Sequence, residues 1–230
     1  MAADAVNEST NFEIMAGFFS PVSDSYLKPG LVAGRHRVRM CELACERTSN
    51  WLSVDAWEAL QPEYTPTAQV LDHFEEEINM KRGGVKTASG EARRCKIMLL
   101  AGGDLITSMG EPGVWADDDL EHILGLYGCL IVERTGSDVW GFLLSHDILY
   151  KNRKNIVVIK QLIYNDISST KVRYVPLYYF YSPLSRLLIF VRLFVRRGMS
   201  IKYLLPNSVI QYIETHGLYL IFEPVKSVLN

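Results

Sequence analysis

The chain has 230 residues and a formal net charge of -2, and 48% of its residues are hydrophobic while 22% are charged. This length fits one sizeable α/β domain, and the composition is that of an ordinary globular protein, which excludes disordered and fibrous classes. A charge so close to zero gives no general attraction to nucleic acid, so any anion site must be local. We therefore predict a single domain over residues 1–230 and no nucleic-acid partner.

The cysteines indicate a reducing compartment. Cys41, Cys45, Cys95 and Cys129 form neither a CxxC pair nor the dense framework of a disulfide-rich protein. The start of the chain lacks the basic and apolar regions of a secretory signal. We therefore expect an intracellular protein. Cys41 and Cys45 fall on one face of a predicted helix and could hold a metal with a histidine, but no second ligand pair stands at metal-site spacing, so we expect them to be small buried side chains.

The first half of the chain predicts a strand, two helices and a loop. The stretch from Phe12 to Phe19 is typical of a strand, and it runs into a segment broken by Pro21, Pro29 and Gly30. Apolar residues at helical spacing predict helices in HRVRMCELACERT and TPTAQVLDHFEEEINM. Residues 81–94 have almost no large apolar side chain, which predicts a mobile surface loop.

The second half alternates strands with helices. Three short apolar runs, CKIMLLAGGD, GCLIVER and NIVVIKQL, are typical of buried parallel strands. Between them, DDDLEHILGLY begins with three aspartates that favour a helix N-terminus. The alternation predicts an α/β fold with a doubly wound, mostly parallel sheet and ligands beyond the C-terminal strand ends. LLPNSVIQYIETHG predicts a last helix, capped by Asn207 or Ser208 and stopped by Gly217.

Two motifs carry residues suited to binding nucleotides. In NDISSTKVR, residues 165–173, hydroxyls and backbone N–H groups would meet at a helix start, which is a natural anion site. An ordinary Ser/Thr helix cap explains the same pattern. In AGGDL, residues 101–105, the glycines would let a ligand approach the backbone while Asp104 accepts ribose hydroxyls. A tight turn with a capping aspartate is the alternative there.

Taken in order, the chain resembles the eukaryotic, fungal-like nicotinamide mononucleotide adenylyltransferases. The matching stretches are SPVSDSYLKPGL, HRVRM, VDAWEALQPEYTPT, LLAGGDL, GEPGVW, NDISSTKVR and RRGMSIKYLLPNSVIQYIETHGLY. The resemblance implies a Rossmann-like nucleotidyltransferase fold that joins the adenylyl group of ATP to nicotinamide mononucleotide, giving NAD and pyrophosphate. It further implies Mg²⁺ accompanying ATP and a location in the nucleus or cytoplasm. Homo-oligomerisation stays open.

The same resemblance implies residue roles. The residues that would hold the ATP phosphates are Lys28, Ser168, Thr170 and Arg173. The residues on the mononucleotide side would be Gly102 and Asp104 at the ribose, Tyr64 and Trp115 sandwiching the nicotinamide ring, and Thr67, Val114 and Asn165 nearby. Tyr64 stands where many relatives carry tryptophan, which would weaken stacking without abolishing it. The phosphate of the mononucleotide itself would attack ATP, so no covalent enzyme intermediate is expected.

The chain departs from this family in two places. Relatives begin with a strand and a loop like GSFNPIT upstream of the segment that matches NFEIMAGFFSPVSD, so we expect the first strand of the fold to be missing. Residues 174–192 form an insert between TKVR and LFVRRGMS, which we interpret as a translated intron. Pro183, Arg186 and Arg192 interrupt its apolar runs, which argues against a membrane segment.

These departures leave two functions open. One is an adenylyltransferase whose activity is impaired by the missing segment. The other is a non-catalytic nucleotide-binding or interaction protein derived from that family. The second would keep the mononucleotide side while lacking part of the ATP side.

Overall fold

The computed structural model describes residues 2–27, 31–87, 89–133, 138–160, 194–195, 198–202 and 204–220. The α-helices in these ranges are α1 (Ala2–Ser9), α2 (Gly34–Cys45), α3 (Thr67–Glu75), α4 (Gly103–Met109), α5 (Asp117–His122), α6 (Val139–Ser145), α7 (Asp147–Lys151) and α8 (Asn207–Thr215). The strands are β1 (Gly17–Phe19), β2 (Leu52–Val54), β3 (Val85–Lys86), β4 (Ala92–Arg93), β5 (Leu99–Gly102), β6 (Cys129–Glu133) and β7 (Ile156–Lys160). These elements belong to two compact units.

The first unit contains the described residues of 2–14 and 65–160. Its sheet has the order β5-β6-β7 and is parallel throughout, so the three apolar runs do form parallel strands as predicted. One face of this sheet is buried at Ala101, Cys129 and Ile131. The helices α3 to α7 supply the rest of that core, including the fully buried Leu120 and Leu143. The predicted α/β class with parallel strands is confirmed.

Two helices of this unit end in wider turns before the chain enters the sheet region. The helix α3 continues as a π-helical segment, Glu76–Lys81, and α5 continues as another, Ile123–Tyr127. The second π-helical segment stops at Gly128, whose φ of 84° and ψ of 175° are accessible essentially only to glycine. A Cβ at this position would lie 2.4 Å from the carbonyl oxygen of Asn155. Gly128 therefore lets the chain turn directly from helix into β6.

The predicted loop 81–94 contains a structure that the sequence did not indicate. The strands β3 and β4 pair antiparallel, with Val85 opposite Arg93 and Lys86 opposite Ala92. Such a pair is too short to show a periodic pattern. Most side chains in the segment are exposed, as expected from their polarity. The mobility of the segment stays a prediction.

The second unit contains the described residues of 15–64 and 194–220. Its strands β1 and β2 are parallel, with Gly17 opposite Leu52 and Phe19 opposite Val54. The predicted strand from Phe12 is therefore shorter than expected, because only its last three residues lie opposite a partner. The helices α2 and α8 pack through a cluster that includes Met40, Val209 and Ile213.

The last helix, α8, differs from its prediction at the start and agrees with it at the end. Pro206 is the N-cap and no side chain caps the helix, because the Ser208 hydroxyl donates instead to the carbonyl of Leu43 at 3.0 Å. At the other end, Gly217 has a φ of 58°. The N–H of Leu218 bonds to the Ile213 carbonyl at 3.0 Å, which closes the helix in a Schellman motif.

The insert at 174–192 lies outside the described residues. In the ranges that the structure does describe, no helix is long and apolar enough to cross a membrane.

Candidate functional site

The strand β5 ends at a glycine, Gly102, beside which the described residues leave free space. Gly102 ends the strand and is the N-cap of α4, with φ of -84° and ψ of 161°, an extended conformation that any residue adopts. A Cβ added to Gly102 would meet no atom of the described residues within 4 Å. Neither the backbone conformation nor packing against the described residues requires glycine here. The missing side chain instead leaves room for a ligand to approach the main chain.

Asp104 stands two residues beyond that opening. It lies in the first turn of α4 and is half-buried. Gly102 is the N-cap, so Asp104 stands two residues inside α4. A carboxylate in a first helical turn is favoured by the helix dipole, and its oxygens accept hydrogen bonds.

Trp115 is tied to the same helix through Ser108. The indole Nε1–H of Trp115 donates to the Ser108 Oγ at 3.2 Å, and the Ser108 hydroxyl donates to the Leu105 carbonyl at 2.6 Å. Ser108 is buried, with 5% of its surface exposed. Asp104 and Ser108 are four residues apart on α4, so both lie on one face of the helix. The Trp115 indole is therefore hydrogen-bonded to the face of α4 that carries Asp104.

The turn before Trp115 explains how the ring returns to the helix. Gly113 has a φ of 75°, in the left-handed region that favours glycine. The N–H of Val114 bonds to the Glu111 carbonyl at 3.3 Å, closing the turn. Val114 is exposed, whereas Trp115 is half-buried and packs partly against the core. The ring thus has one side against protein and an edge fixed by a hydrogen bond.

The other predicted mononucleotide residues lie at the start of α3 and just before it. Thr67 is the first residue of α3 and is half-buried in the first unit. Tyr64 belongs to the second unit, with 51% of its surface exposed. Its ring stacks on that of Tyr26 with centroids 5.5 Å apart and planes 25° from parallel. The predicted sandwich of Tyr64 with Trp115 stays a prediction.

The residues predicted to hold the ATP phosphates lie outside the described ranges. The residues that fall outside the described ranges are Lys28, Asn165, Ser168, Thr170 and Arg173. Their roles therefore stay predictions. Within the first unit, three of the residues predicted for the mononucleotide side, Gly102, Asp104 and Trp115, lie on or beside α4.

A separate open cavity of about 530 Å³ lies at the opposite edge of the sheet. Its lining includes Asp72, Glu75, Arg94 and Tyr127, which precede the strands rather than follow them. The Tyr127 hydroxyl donates to the Asp72 carboxylate. Burial raises the pKa of Tyr127 most, and this hydrogen bond raises it further. The cavity is therefore distinct from the opening at Gly102.

The buried cysteines show no sign of reactivity. Cys41, Cys45 and Cys129 are buried. Burial raises the pKa of Cys41 to about 12 and that of Cys129 to about 12, which disfavours the thiolate. Within the described ranges, no group of three or more histidine, cysteine, aspartate or glutamate side chains stands close enough to hold a metal ion.

Sequence reasoning missed Ser108 in the candidate site. Nothing about an isolated serine marks it as the partner of an indole seven residues later. The helical spacing from Asp104 was the available signal, and it becomes usable only once α4 is known to begin at Gly103.

The chain is similar to proteins of one named group. The profile of the cytidylyltransferase-like family matches residues 1–175. The nicotinamide/nicotinic acid mononucleotide adenylyltransferase of Schizosaccharomyces pombe is 66% identical over 228 residues, which are 99% of this chain and 57% of that protein. The corresponding enzyme 1 of Saccharomyces cerevisiae is 66% identical over 231 residues, 100% of this chain and 53% of that protein.

A more distant relative is covered more completely. The nicotinamide/nicotinic acid mononucleotide adenylyltransferase 1 of Bos taurus is 35% identical over 247 residues, 95% of this chain and 81% of that protein. The chain therefore spans little more than half of the two fungal relatives and about four fifths of the bovine one.

Proposed function

We propose that the chain, which belongs to the cytidylyltransferase-like family and within it to the nicotinamide/nicotinic acid mononucleotide adenylyltransferases, transfers the adenylyl group of ATP to nicotinamide mononucleotide. The products are NAD and pyrophosphate. The structural observation that supports this proposal best is the open backbone at Gly102, where neither the backbone conformation nor packing among the described residues requires a glycine.

The face of α4 beside that opening supplies the mononucleotide side of the proposed site. The ribose lies against the backbone at Gly102 and its hydroxyls donate to the Asp104 carboxylate. The nicotinamide ring stacks on Trp115, whose orientation is held by Ser108. Thr67 and Val114 line this side. The family resemblance assigns the other face of the ring to Tyr64.

The phosphate side of the proposal rests on the resemblance alone. Lys28 and Arg173 neutralise the phosphate charge, and Ser168 and Thr170 donate hydrogen bonds to it. Asn165 stands on the mononucleotide side. Such groups accelerate transfer by holding the mononucleotide phosphate in line with the α-phosphorus of ATP and by stabilising the charge that develops.

Magnesium is proposed as part of the substrate. Mg²⁺ retains water and binds mainly through substrate phosphates in nucleotide enzymes, so it enters the reaction as the complex with ATP. The ion offsets negative charge on the triphosphate while pyrophosphate leaves. The location that accompanies this function is the nucleus or cytoplasm, and the free thiols of Cys41, Cys45, Cys95 and Cys129 suit a reducing compartment.

A non-catalytic nucleotide-binding or interaction protein is the less favoured function. It would retain the Gly102 opening without turnover. The relatives that are 66% identical to nearly the whole chain are named as adenylyltransferases, which favours the enzyme.

The test measures NAD formation from Mg·ATP and nicotinamide mononucleotide, together with calorimetric binding of the mononucleotide. We expect turnover in the unmodified chain. Trp115→Ala should lower kcat/KM by about tenfold or more, mainly by raising KM for the mononucleotide, because ring stacking contributes roughly 1–3 kcal/mol. Trp140→Ala is the matched control, since Trp140 lies on α6 and is 46% exposed.

The two assays separate the candidate functions. Mononucleotide binding without NAD formation would favour the non-catalytic protein. If the chain neither binds the mononucleotide nor forms NAD, both functions are wrong. An equal loss of kcat/KM in the two tryptophan variants would show that Trp115 does not belong to the mononucleotide site.

A further inference from the structure

Arg37 is a buried charged side chain that ties together the two flanks of one loop. It lies on α2 and is 3% exposed. Its Nε donates to the Val32 carbonyl at 2.8 Å, its Nη1 donates to the Val22 carbonyl, and its Nη2 bonds to the Asp24 carboxylate at 2.7 Å. Burying a guanidinium is costly unless its donors are satisfied, so these bonds define one arrangement of the chain around it.

The carboxylate that pairs with Arg37 also organises the start of α2. The Asp24 Oδ1 accepts the backbone N–H of Gly34 at 2.7 Å in addition to the Arg37 bond. Asp24 is the first residue of a short 3₁₀ turn, Asp24–Tyr26. One carboxylate oxygen therefore joins this turn to both the side chain and the backbone of α2.

The turn is bonded on its other side to the segment that carries Tyr64. The hydroxyl of Ser23, a residue that is 1% exposed, donates to the Glu63 carbonyl at 3.1 Å. The hydroxyl of Ser25 donates to the Pro62 carbonyl at 2.5 Å. The ring of Tyr26 stacks on that of Tyr64. A continuous set of contacts thus runs from Arg37 through the turn to Tyr64.

Arginine suits this position for a geometric reason. A guanidinium presents donors on three nitrogens in a fixed plane and can serve acceptors that lie on different sides of it. A lysine ammonium is a compact charge at the end of a flexible chain and cannot reach all three acceptors at once. Tyr64 exposes half of its surface, so core packing alone does not fix its ring.

We propose that Arg37 is a positioning residue for the mononucleotide side of the active site. It does not touch the substrate, but it holds residues 22–26 and, through them, the ring of Tyr64. This inference rests on the function proposed above, because the orientation of Tyr64 matters to catalysis only if that ring meets the nicotinamide.

The test compares Arg37→Lys with Arg39→Lys. Arg39 lies on the same helix but is only half-buried and pairs with Glu42 and Glu46. Hydrogen exchange is measured for peptides covering residues 17–27 and 58–66, and it requires no catalytic activity. Mononucleotide affinity is measured by calorimetry, and kinetics are normalised to the folded fraction.

We expect Arg37→Lys to speed exchange in both peptides by about tenfold, because the bonds that close these segments are lost. The Kd and KM for the mononucleotide should rise by about fivefold or more, while kcat per folded molecule changes by less than about twofold. Arg39→Lys should leave all of these values unchanged. If Arg37→Lys lowers only the fraction of folded protein and leaves Kd and KM unchanged, Arg37 has a structural role alone and the proposal is wrong.

Several outcomes overturn the proposal. Unchanged exchange in Arg37→Lys would show that Arg37 does not hold the turn. Faster exchange with unchanged Kd would show that holding the turn does not position Tyr64. If the unmodified chain neither binds the mononucleotide nor forms NAD, the proposed function fails, and the positioning role fails with it. The exchange result still decides separately whether Arg37 holds the turn.

A second variant covers the case in which Arg37→Lys does not fold. Asp24→Asn keeps the shape of the side chain and leaves the guanidinium bonded to the Val22 and Val32 carbonyls. We expect changes in the same direction, with Kd raised by about twofold, because the bonds from Arg37 and Gly34 keep an acceptor and lose only its charge. No change in exchange or Kd would contradict the proposal.

Discussion

Gly102 acts through the side chain that it lacks. Most glycines in folded proteins are explained by a positive φ or by a close neighbour. In the part of the chain that the structure describes, Gly102 has neither, since its backbone is extended and a Cβ would meet none of these residues within 4 Å. A residue that is free to change for the fold, yet stands where parallel strands end, is explained best by the proposed ligand.

This explanation predicts that stability and binding separate in Gly102→Ala. The free energy of unfolding should stay the same or rise by about 0.5 kcal/mol, because alanine restricts the unfolded chain and fits the native backbone. The mononucleotide Kd should rise by about tenfold, because the methyl group occupies the space of the ligand. Chemical denaturation and calorimetry measure the two quantities. Unchanged affinity would remove Gly102 from the binding site.

At the scale of elements, the connections between helix and sheet decide where the site residues stand. The parallel register places Gly102 opposite Val132, so β5 and β6 end at one edge of the sheet. The helix α4 begins directly after that edge and presents Asp104 and Ser108 on one face. The register in turn depends on the sharp entry into β6 at Gly128.

We therefore predict that Gly128→Ala destabilises the protein far more than Gly113→Ala. Both glycines have positive φ, 84° and 75°, so both substitutions carry backbone strain. Only at Gly128 would the new Cβ collide with a backbone oxygen, that of Asn155. We expect losses of about 3 kcal/mol or more at Gly128 and about 1 kcal/mol at Gly113.

Urea denaturation of the two variants checks this prediction. Equal losses would mean that backbone conformation alone decides the cost. A smaller loss at Gly128 than at Gly113 would mean that the chain relaxes around Asn155 and that the entry into β6 is not fixed.

At the scale of the whole molecule, the buried carboxyl of Glu58 should contribute to how stability changes with pH. Glu58 is 6% exposed and accepts a hydrogen bond from the Ser20 hydroxyl. Burial raises its pKa above the ordinary value of 4.5, although the Ser20 bond and the charge of Arg37 oppose that shift. The folded chain therefore holds a proton that the unfolded chain releases in this pH range.

The sign of the effect follows from that proton. The contribution of Glu58 to stability is fully present below pH 4.5 and is lost as the pH rises through the higher pKa of the folded state. Glu58→Gln removes this titration while keeping an acceptor for Ser20. We predict that the variant gains stability over the unmodified protein as the pH rises from 4 to 7.

Thermal denaturation across that range, with exposed Glu63→Gln as the control, tests the prediction. We expect a Tm difference of a few degrees at neutral pH that shrinks toward pH 4, which corresponds to about 1 kcal/mol. A constant difference, or one that grows toward acid, would contradict a raised pKa at Glu58.

The sequence by itself determined the elements whose pattern is local. The three apolar runs became β5, β6 and β7, and the amphipathic stretches became α2, α3, α5 and α8, because side-chain periodicity depends only on neighbouring residues. Gly217 stopped the last helix for the same local reason. The order of matching segments also identified the family, and AGGDL marked the strand end that the structure leaves open.

The tertiary structure decided everything that depends on partners distant in the chain. The strand β2 exists because it lies beside β1, and the predicted strand from Phe12 shortened to the residues with such a partner. Ser20 meets Glu58 across 38 residues and Ser23 meets Glu63 across 40. The Arg37 contacts likewise join α2 to a loop before it. Burial and hydrogen bonding of such groups are fixed only when the chain folds back on itself, because no local pattern selects among remote partners.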